Sequence, residues 1–197
     1  MNEVTIATED QLSEALLSRV VSEFSPRLTV ANALGRRGNG HLRARLMSLV
    51  AAARAGMRVI LLTDADGQRS PDAVRADWMA DLTFDSERFY LAVAVQEAEA
   101  WLLADSTAVE AVLGRGASSI PAPTDELINP KEWLLNEARR SARQIREQLI
   151  RDDHGRVKVG VGYNSITSRV VSDIWSPQRA RRNSRSLDRL MSDLLSW

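Results

Sequence analysis

The segment Met57-Arg58-Val59-Ile60-Leu61-Leu62-Thr63 runs directly into Asp64-Ala65-Asp66-Gly67, and this change from apolar to acidic residues decides the fold. A nearly continuous apolar run of this length is typical of a parallel β-strand that is buried on both faces. Gly56, just before the run, stands where the end of a preceding helix favours positive φ. The pattern therefore predicts a helix, a buried strand and then an acidic loop.

The same alternation of strand and helix recurs along the first half of the chain. Strand patterns cover residues 3–8, 27–31, 57–63 and 89–95, and each is followed by a helical pattern. Asp10 is predicted to cap the first of these helices. Such alternation favours an α/β fold of the Rossmann-like kind, with a central, mostly parallel sheet of about four strands flanked by helices.

The chain changes in texture beyond residue 113. Glycine and proline are frequent at 114–130, which predicts a connecting loop between an α/β core (1–113) and a basic helical appendix (131–197) packed on it. The elements expected in the appendix are a helix at 131–150, a polar loop at 152–155, a helix at 164–175 and a final helix with Leu187, Leu190, Met191, Leu194 and Leu195 on one face. Trp78, Trp101, Trp133 and Trp175 are expected in the core.

The net charge of zero is the sum of two unequal parts. Residues 1–130 hold 12 Lys and Arg against 18 Asp and Glu, a net of −6, whereas residues 131–197 hold 14 against 8, a net of +6. Nearly all the cations are arginines, which bind phosphate and carboxylate bidentately. An excess of arginine also arises from genome composition, so this observation leaves both explanations open.

Several classes of protein are excluded by composition. The chain has no cysteine and two histidines, which excludes a disulfide scaffold, a thiol nucleophile and a cysteine zinc site. No apolar run approaches the ~18 residues of a membrane span, and no secretory leader is recognisable, so we expect a soluble, cytoplasmic protein.

Acidic residues follow three of the predicted strands. Glu9 follows the first, Asp64 and Asp66 the third, and Glu97 and Glu99 the fourth. Because the carboxyl ends of parallel strands meet at one edge, these side chains are expected to converge there. Carboxylates without histidine or cysteine favour Mg²⁺ or Mn²⁺ over zinc.

These motifs also have other interpretations. Single acids such as Asp10, Asp72 or Glu97 are more often helix caps or solvated turn residues. The loop Gly35-Arg36-Arg37-Gly38-Asn39-Gly40 lacks the Gly-Lys-Ser/Thr ending of a phosphate-binding P-loop. No glycine fingerprint follows the first strand, and no Gly-x-Ser-x-Gly elbow is present, which disfavours a dinucleotide-binding domain and a serine hydrolase.

A glutamate after the first strand and Asp-x-Asp after the third resemble the TOPRIM fold of topoisomerases, primases and related nucleases. Over nearly its whole length the chain is also similar to a small TOPRIM-like bacterial family, the domain of unknown function 4276. The blocks that carry this resemblance are Thr8-Glu9-Asp10-Gln11-Leu12-Ser13-Glu14, Leu61-Leu62-Thr63-Asp64-Ala65-Asp66, Val95-Gln96-Glu97-Ala98-Glu99-Ala100-Trp101-Leu102-Leu103-Ala104-Asp105, Asn129-Pro130-Lys131-Glu132, Gly162-Tyr163-Asn164 and Arg182-Asn183-Ser184-Arg185-Ser186-Leu187-Asp188-Arg189.

The resemblance implies roles for the acidic residues. Asp64 and Asp66 are expected to be metal ligands, Glu9 a ligand or general base, and Glu97 and Glu99 further metal ligands. Because an acidic pocket repels a nucleic-acid backbone, cations are expected to flank it, although any single arginine is more often part of a solvated face. The candidate nucleic-acid-binding residues are Arg36, Arg37, Lys131, Arg139, Arg140, Arg181, Arg182 and Arg185.

The leading hypothesis is a Mg²⁺-dependent or Mn²⁺-dependent nuclease, with DNA favoured over RNA as substrate. The resemblance implies a place as effector of an anti-phage or mobile-element system, with an ATPase from a neighbouring gene as candidate partner and a second copy of the chain as another. The alternative is a non-catalytic interaction or regulatory subunit on the same scaffold, working with such an ATPase. No membrane partner is expected.

Overall fold

A computed structural model of the chain describes residues 2–35, 39–65, 67, 70–80, 82–84, 86–117 and 119–197. Its central sheet has four strands, β1 (Asn2–Thr8), β2 (Leu28–Gly35), β3 (Arg58–Asp64) and β4 (Phe89–Ala94). They lie in the order β2-β1-β3-β4, and every neighbouring pair is parallel. The predicted α/β fold with a parallel sheet is therefore confirmed.

Helices cover both faces of this sheet. Along the chain they are α1 (Gln11–Ser22), α2 (Asn39–Ala44), α3 (Leu46–Arg54), α4 (Pro71–Met79), α5 (Glu99–Leu103), α6 (Ser106–Leu113), a 3-10 turn (Thr124–Glu126), α7 (Pro130–Ala138), α8 (Arg143–Leu149), α9 (Tyr163–Asp173), α10 (Pro177–Ala180) and α11 (Arg185–Ser196). Asp10 caps α1, as predicted, because its side chain accepts a hydrogen bond from the Ser13 N–H at 2.8 Å.

The two faces of β3 contribute to two separate hydrophobic cores. Ile60 and Leu62 pack with α1, α5, α6, α9 and α11, whereas Val59 and Leu61 pack with α2, α3 and α4. Successive side chains of a strand point to opposite faces, so an uninterrupted apolar run is what a strand between two helical layers requires. The run at 57–63 therefore encodes the three-layer arrangement.

The second strand is longer than predicted. β2 continues to Gly35, beyond the expected end at residue 31, and its pairing with β1 shifts register between Val4 and Thr5. The added residues are mostly exposed. An edge strand with little apolar burial carries a weak sequence signal, and for that reason its end was missed.

The single helix predicted at 131–150 is wrong. The structure has two helices there, α7 and α8, separated by residues 139–142. The Arg115 guanidinium donates to the Glu137 carbonyl at 2.7 Å and to the Glu137 side chain at 3.0 Å. This distant side chain satisfies a carbonyl at the end of α7, which favours termination of the helix there.

The polar loop predicted at 152–155 is also wrong. β5 (Ile150–Asp153) and β6 (Arg156–Val159) form an antiparallel hairpin whose two linking residues, His154 and Gly155, both have positive φ. Two positive φ values in a two-residue loop are typical of a type I′ turn, which matches the twist of the flanking strands. The appendix is therefore mostly, but not entirely, helical.

Segments from beyond residue 130 share the main core with the first half of the chain. Helix α9 packs on α1, and Trp101 and Trp175 are both buried. Trp78 is buried as well and Trp133 is half-buried, in agreement with their predicted place in the core. The domain boundaries at 113 and 130 stay a prediction.

No helix among the described residues has the length and apolar character needed to cross a membrane.

Candidate functional site

The candidate site lies at the carboxyl ends of β1 and β3. These adjacent strands form the switch point of the sheet, where the strand order changes direction. From β1 the chain moves outward to β2, then returns to β3 on the other side of β1 and continues to β4. In parallel α/β sheets the carboxyl ends of the strands at such a switch point border a crevice where ligands bind. Glu9 follows β1 and Asp64 ends β3, so both carboxylates stand at this point.

Glu9 and Asp64 are joined by hydrogen bonds. The Glu9 Oε1 atom accepts a hydrogen bond from the buried Thr63 hydroxyl and another from the Asp64 backbone N–H at 3.0 Å. These two donors, both from the end of β3, fix the Glu9 carboxylate beside Asp64. The predicted convergence is thus present for Glu9 and Asp64.

Asp64 carries an unsatisfied oxygen. Its Oδ1 atom is buried and has no hydrogen-bond partner among the described residues. Burial raises the pKa of Asp64 well above its ordinary value, and the neighbouring carboxylates Glu9, Glu99 and Asp10 raise it further, against a smaller opposing effect of Lys131. An ionised Asp64 therefore needs a cation that the described side chains supply only in part.

The carboxylates Glu9 and Asp64 fit one mode of divalent-cation binding. Among the described residues no three His, Cys, Asp or Glu side chains form a metal-binding group, and Asp66 lies outside the described residues. Mg²⁺ is commonly bound through one or two carboxylates, with water and substrate phosphate completing its shell. The orphaned oxygen of Asp64 and the adjacent Glu9 carboxylate fit this mode of binding.

A strained turn positions the acids that follow β4. Gln96 has φ +62, and the Glu97 N–H donates to the Val95 carbonyl at 2.9 Å, which makes a γ-turn centred on a residue with positive φ. Turns of this kind are rare, and such strain concentrates at functional sites. The turn directs the chain from β4 into Glu97 and then into α5, which begins at Glu99.

Glu99 is buried and held by two side chains. Its Oε1 atom accepts a hydrogen bond from the Tyr163 hydroxyl at 3.0 Å and lies 3.2 Å from the Lys131 Nζ. Burial raises the pKa of Glu99, and Lys131 counteracts that rise. Burial and the Glu99 charge together raise the pKa of Tyr163 well above its ordinary value, so the phenol stays protonated and donates.

Lys131 lies inside the acidic site rather than on an outer face. Its backbone N–H donates to Glu97 Oε2 at 2.9 Å, while its ammonium pairs with Glu99. Burial alone lowers the pKa of Lys131, but Glu99 and Glu97 outweigh this and raise it. The metal-ligand role of Glu97 and Glu99 stays a prediction, and in the structure both carboxylates are bonded to Lys131.

A groove leads away from Lys131. It has a volume of about 570 Å³ and is lined by Glu97, Lys131, Arg139 and Arg156, among other residues of α7 and the hairpin turn. Arg139 was among the predicted nucleic-acid-binding residues, whereas Arg156 was not. The groove joins the acidic site to two exposed arginines.

The other predicted cations are dispersed. Arg140 pairs with Glu137 at 3.2 Å. Arg181, Arg182 and Arg185 line a second groove of about 770 Å³ at the start of α11. Arg36 and Arg37 lie outside the described residues. The nucleic-acid-binding role of all these residues stays a prediction.

Two contributors to the site were missed by reasoning from the sequence. Thr63 was counted as a strand residue and Tyr163 as part of a distant block, yet each donates a hydrogen bond to a site carboxylate. Thr63 could have been found from its place immediately before Asp64. No periodic signal marks Tyr163, because its partner lies 64 residues away.

Fold and site together define a parallel α/β protein with carboxylates and one lysine gathered at the switch point of its sheet. The chain belongs to the family described as Domain of unknown function (DUF4276), whose model matches residues 7–195. The family membership expected from the sequence blocks is confirmed. Comparisons with curated proteins and with solved structures found no match.

Proposed function

We propose that this protein is a metal-dependent nuclease that hydrolyses phosphodiester bonds with Mg²⁺ or Mn²⁺, with DNA as the favoured substrate. One observation carries the proposal: the buried Oδ1 of Asp64, which has no hydrogen-bond partner in the described part of the chain, lies beside the oriented Glu9 carboxylate at the sheet's switch point. The TOPRIM resemblance of the sequence supports it, since relatives with that fold use acids at these positions for phosphoryl chemistry.

Each residue of the site would have a distinct role in phosphodiester hydrolysis. Asp64 and Glu9 would hold the cation, and the TOPRIM resemblance implies Asp66 as a further ligand. When bound, the cation supplies stabilisation of charge on the attacking and leaving oxygens of the phosphodiester. Thr63 and the Asp64 N–H keep Glu9 oriented, which suits a ligand or a base that accepts a proton from the attacking water.

The groove whose lining holds the cations Lys131, Arg139 and Arg156, beside Glu97 and Glu132, is the proposed path of the nucleic-acid backbone toward the site. Positive side chains along a groove attract phosphates and offset the repulsion by the acidic edge. The net charge of +6 on residues 131–197 supports this arrangement. A role as effector of a defence or mobile-element system, with a neighbouring ATPase, belongs to the same proposal.

A second function is favoured by a different observation. Lys131 already neutralises Glu99, and no three acids among the described residues form a metal-binding group. This arrangement suits a non-catalytic interaction or regulatory subunit, in which the acidic edge binds a partner's basic surface.

A cleavage assay separates the two functions. The purified protein, with and without the neighbouring gene's product, is incubated with supercoiled plasmid or with RNA in Mg²⁺ or Mn²⁺. Asp64→Asn is compared with Asp173→Asn, a matched change at an exposed residue of α9. Cleavage that Asp64→Asn abolishes and Asp173→Asn retains supports the nuclease. Cleavage that survives Asp64→Asn overturns the assigned site, and no cleavage in any combination favours the interaction subunit.

A further inference from the structure

Two glutamates hold Lys131, one through its backbone N–H and the other through its side-chain ammonium. Its backbone is bonded to Glu97 and its ammonium to Glu99, and Glu99 is itself held by Tyr163. The Glu99 side chain is 2% exposed, whereas the Lys131 side chain is 33% exposed. Glu99 is thus buried in the protein, whereas its partner Lys131 lines the groove.

Lys131 offsets part of the negative charge that the carboxylates bring to the site. Glu9, Asp64, Glu97 and Glu99 bring four carboxylates to one edge of the sheet. The Lys131 ammonium pairs with Glu99, and the neutral backbone N–H of Lys131 donates to Glu97. Like charges this close repel unless cations neutralise them. Lys131 lies beside Glu97 and Glu99, whereas Asp64, beside Glu9, has an oxygen with no partner among the residues that the structure describes.

We propose that Lys131 takes the place of a second metal ion, so that the protein binds one divalent cation at Glu9 and Asp64 and none at Glu97 and Glu99. This inference rests on the proposed function and replaces the expectation that all these acids bind metal. An ammonium has three N–H donors. The contact with Glu99 occupies one of them. Because Lys131 also lines the groove, we assign the remaining donors to a phosphate oxygen of the substrate.

Counting bound Mn²⁺ tests the first part of the inference without any measurement of activity. The paramagnetic resonance signal of free Mn²⁺ is followed as metal is titrated into wild type, Lys131→Met and the matched control Lys158→Met on the hairpin. Methionine keeps the length of the side chain and removes its charge. We expect one bound ion per chain in wild type and in the control, and two in Lys131→Met.

Further variants keep the test decisive. Lys131→Met combined with Glu99→Gln should return to one ion, because the second site then lacks a carboxylate. If Lys131→Met does not fold, as judged by circular dichroism, Glu99→Gln in the Lys131 background decides: it should leave one ion bound. Three results would overturn the inference. They are loss of the bound ion in Glu99→Gln, two bound ions in wild type, and a single bound ion in folded Lys131→Met.

The outcomes distinguish this inference from the proposed function. No bound ion in wild type defeats the metal-dependent nuclease itself. One ion that depends on Asp64 and is still single in folded Lys131→Met leaves the nuclease standing and removes the lysine's role.

Binding of an oligonucleotide in Ca²⁺ tests the phosphate contact. Fluorescence anisotropy at several salt concentrations gives the slope of log affinity against log salt. Lys131→Met should reduce that slope by about 0.7–0.9, the value for one phosphate contact. An unchanged slope overturns the contact.

Discussion

Replacing Asp64 by asparagine should stabilise the metal-free protein, although most substitutions at partly buried polar residues destabilise. The Asp64 Oδ1 atom is buried and unpartnered among the described residues, and burial, followed by the charges of Glu9, Glu99 and Asp10, raises the pKa of this group. An unsatisfied buried acceptor costs about 1–3 kcal/mol, and more when it is charged. Asparagine keeps the shape and removes the charge.

We expect the free energy of unfolding of Asp64→Asn to exceed that of wild type by about 1–2 kcal/mol in a chelator at pH 8. For a chain of this size each kcal/mol moves the Tm by about 2–4 °C, so the rise should be about 2–8 °C. Metal should reverse the order, since a ligand at 100 times its Kd adds about 2.7 kcal/mol to wild type. The metal should add no stability to Asp64→Asn, because this variant lacks the ligand carboxylate.

The pH dependence follows from the direction of the shift. The folded protein keeps the Asp64 proton at pH values where the unfolded chain, with a pKa near 3.8, has lost it. The contribution of Asp64 to wild-type stability therefore falls as pH rises from about 4 to the folded pKa of this group and is constant above it. The advantage of Asp64→Asn should be small at pH 4 and full once pH exceeds the folded pKa.

Differential scanning calorimetry of wild type, Asp64→Asn and the control Asp173→Asn, each with chelator and with Mn²⁺, measures these effects. The reasoning is refuted if Asp64→Asn melts below wild type in chelator at pH 8, if its advantage is the same at pH 4, or if Mn²⁺ stabilises both proteins equally.

Three further predictions concern the fold. Asp105→Asn should lower the free energy of unfolding by about 2–4 kcal/mol in urea melts, because the buried Asp105 carboxylate accepts two hydrogen bonds from Arg179, at 2.9 and 2.7 Å; an unchanged midpoint would contradict this. Gly160→Ala should cost about 1–3 kcal/mol, since its Cβ would lie 2.4 Å from the Gln148 carbonyl oxygen, and a Tm equal to that of wild type would be the contrary result. Asp10→Ala should cost about 1 kcal/mol through loss of the α1 cap, measured by thermal melting, where no loss would refute the capping role.

Much of the sheet could be predicted from the sequence because its central strands are buried on both faces. The continuous apolar runs that became β3 and β4 differ clearly from the amphipathic patterns around them. β2 lies at the sheet's edge and exposes most of its residues, so its sequence carried less information and its end was missed.

The errors in the appendix have two physical causes. The apolar spacing continues from Leu135 and Ala138 to Ile145 and Leu149, so periodicity alone could not reveal the break between α7 and α8. The contact that accompanies the break comes from Arg115, outside the helix. The hairpin had a local signal, since glycine follows His154, but short polar strands are easily mistaken for loops.

The candidate site was predictable as far as backbone direction determines it. Glu9 and Asp64 meet because neighbouring parallel strands end at the same edge. The contacts of Glu99 with Lys131 and Tyr163 join residues far apart in the chain, and no spacing rule predicts them. From the charge of its segment, Lys131 was predicted to lie on a nucleic-acid-binding surface. In the structure its backbone N–H donates to Glu97, which places Lys131 within the acidic site.

Anomalous diffraction from crystals grown with Mn²⁺ tests the central claim most directly, because it locates the metal on named side chains. The account predicts one strong peak within about 2–2.5 Å of a carboxylate oxygen of Asp64 and adjacent to Glu9, with Lys131 still paired to Glu99. A peak between Glu97 and Glu99 with Lys131 displaced, or no peak at the Glu9 and Asp64 edge, would contradict it.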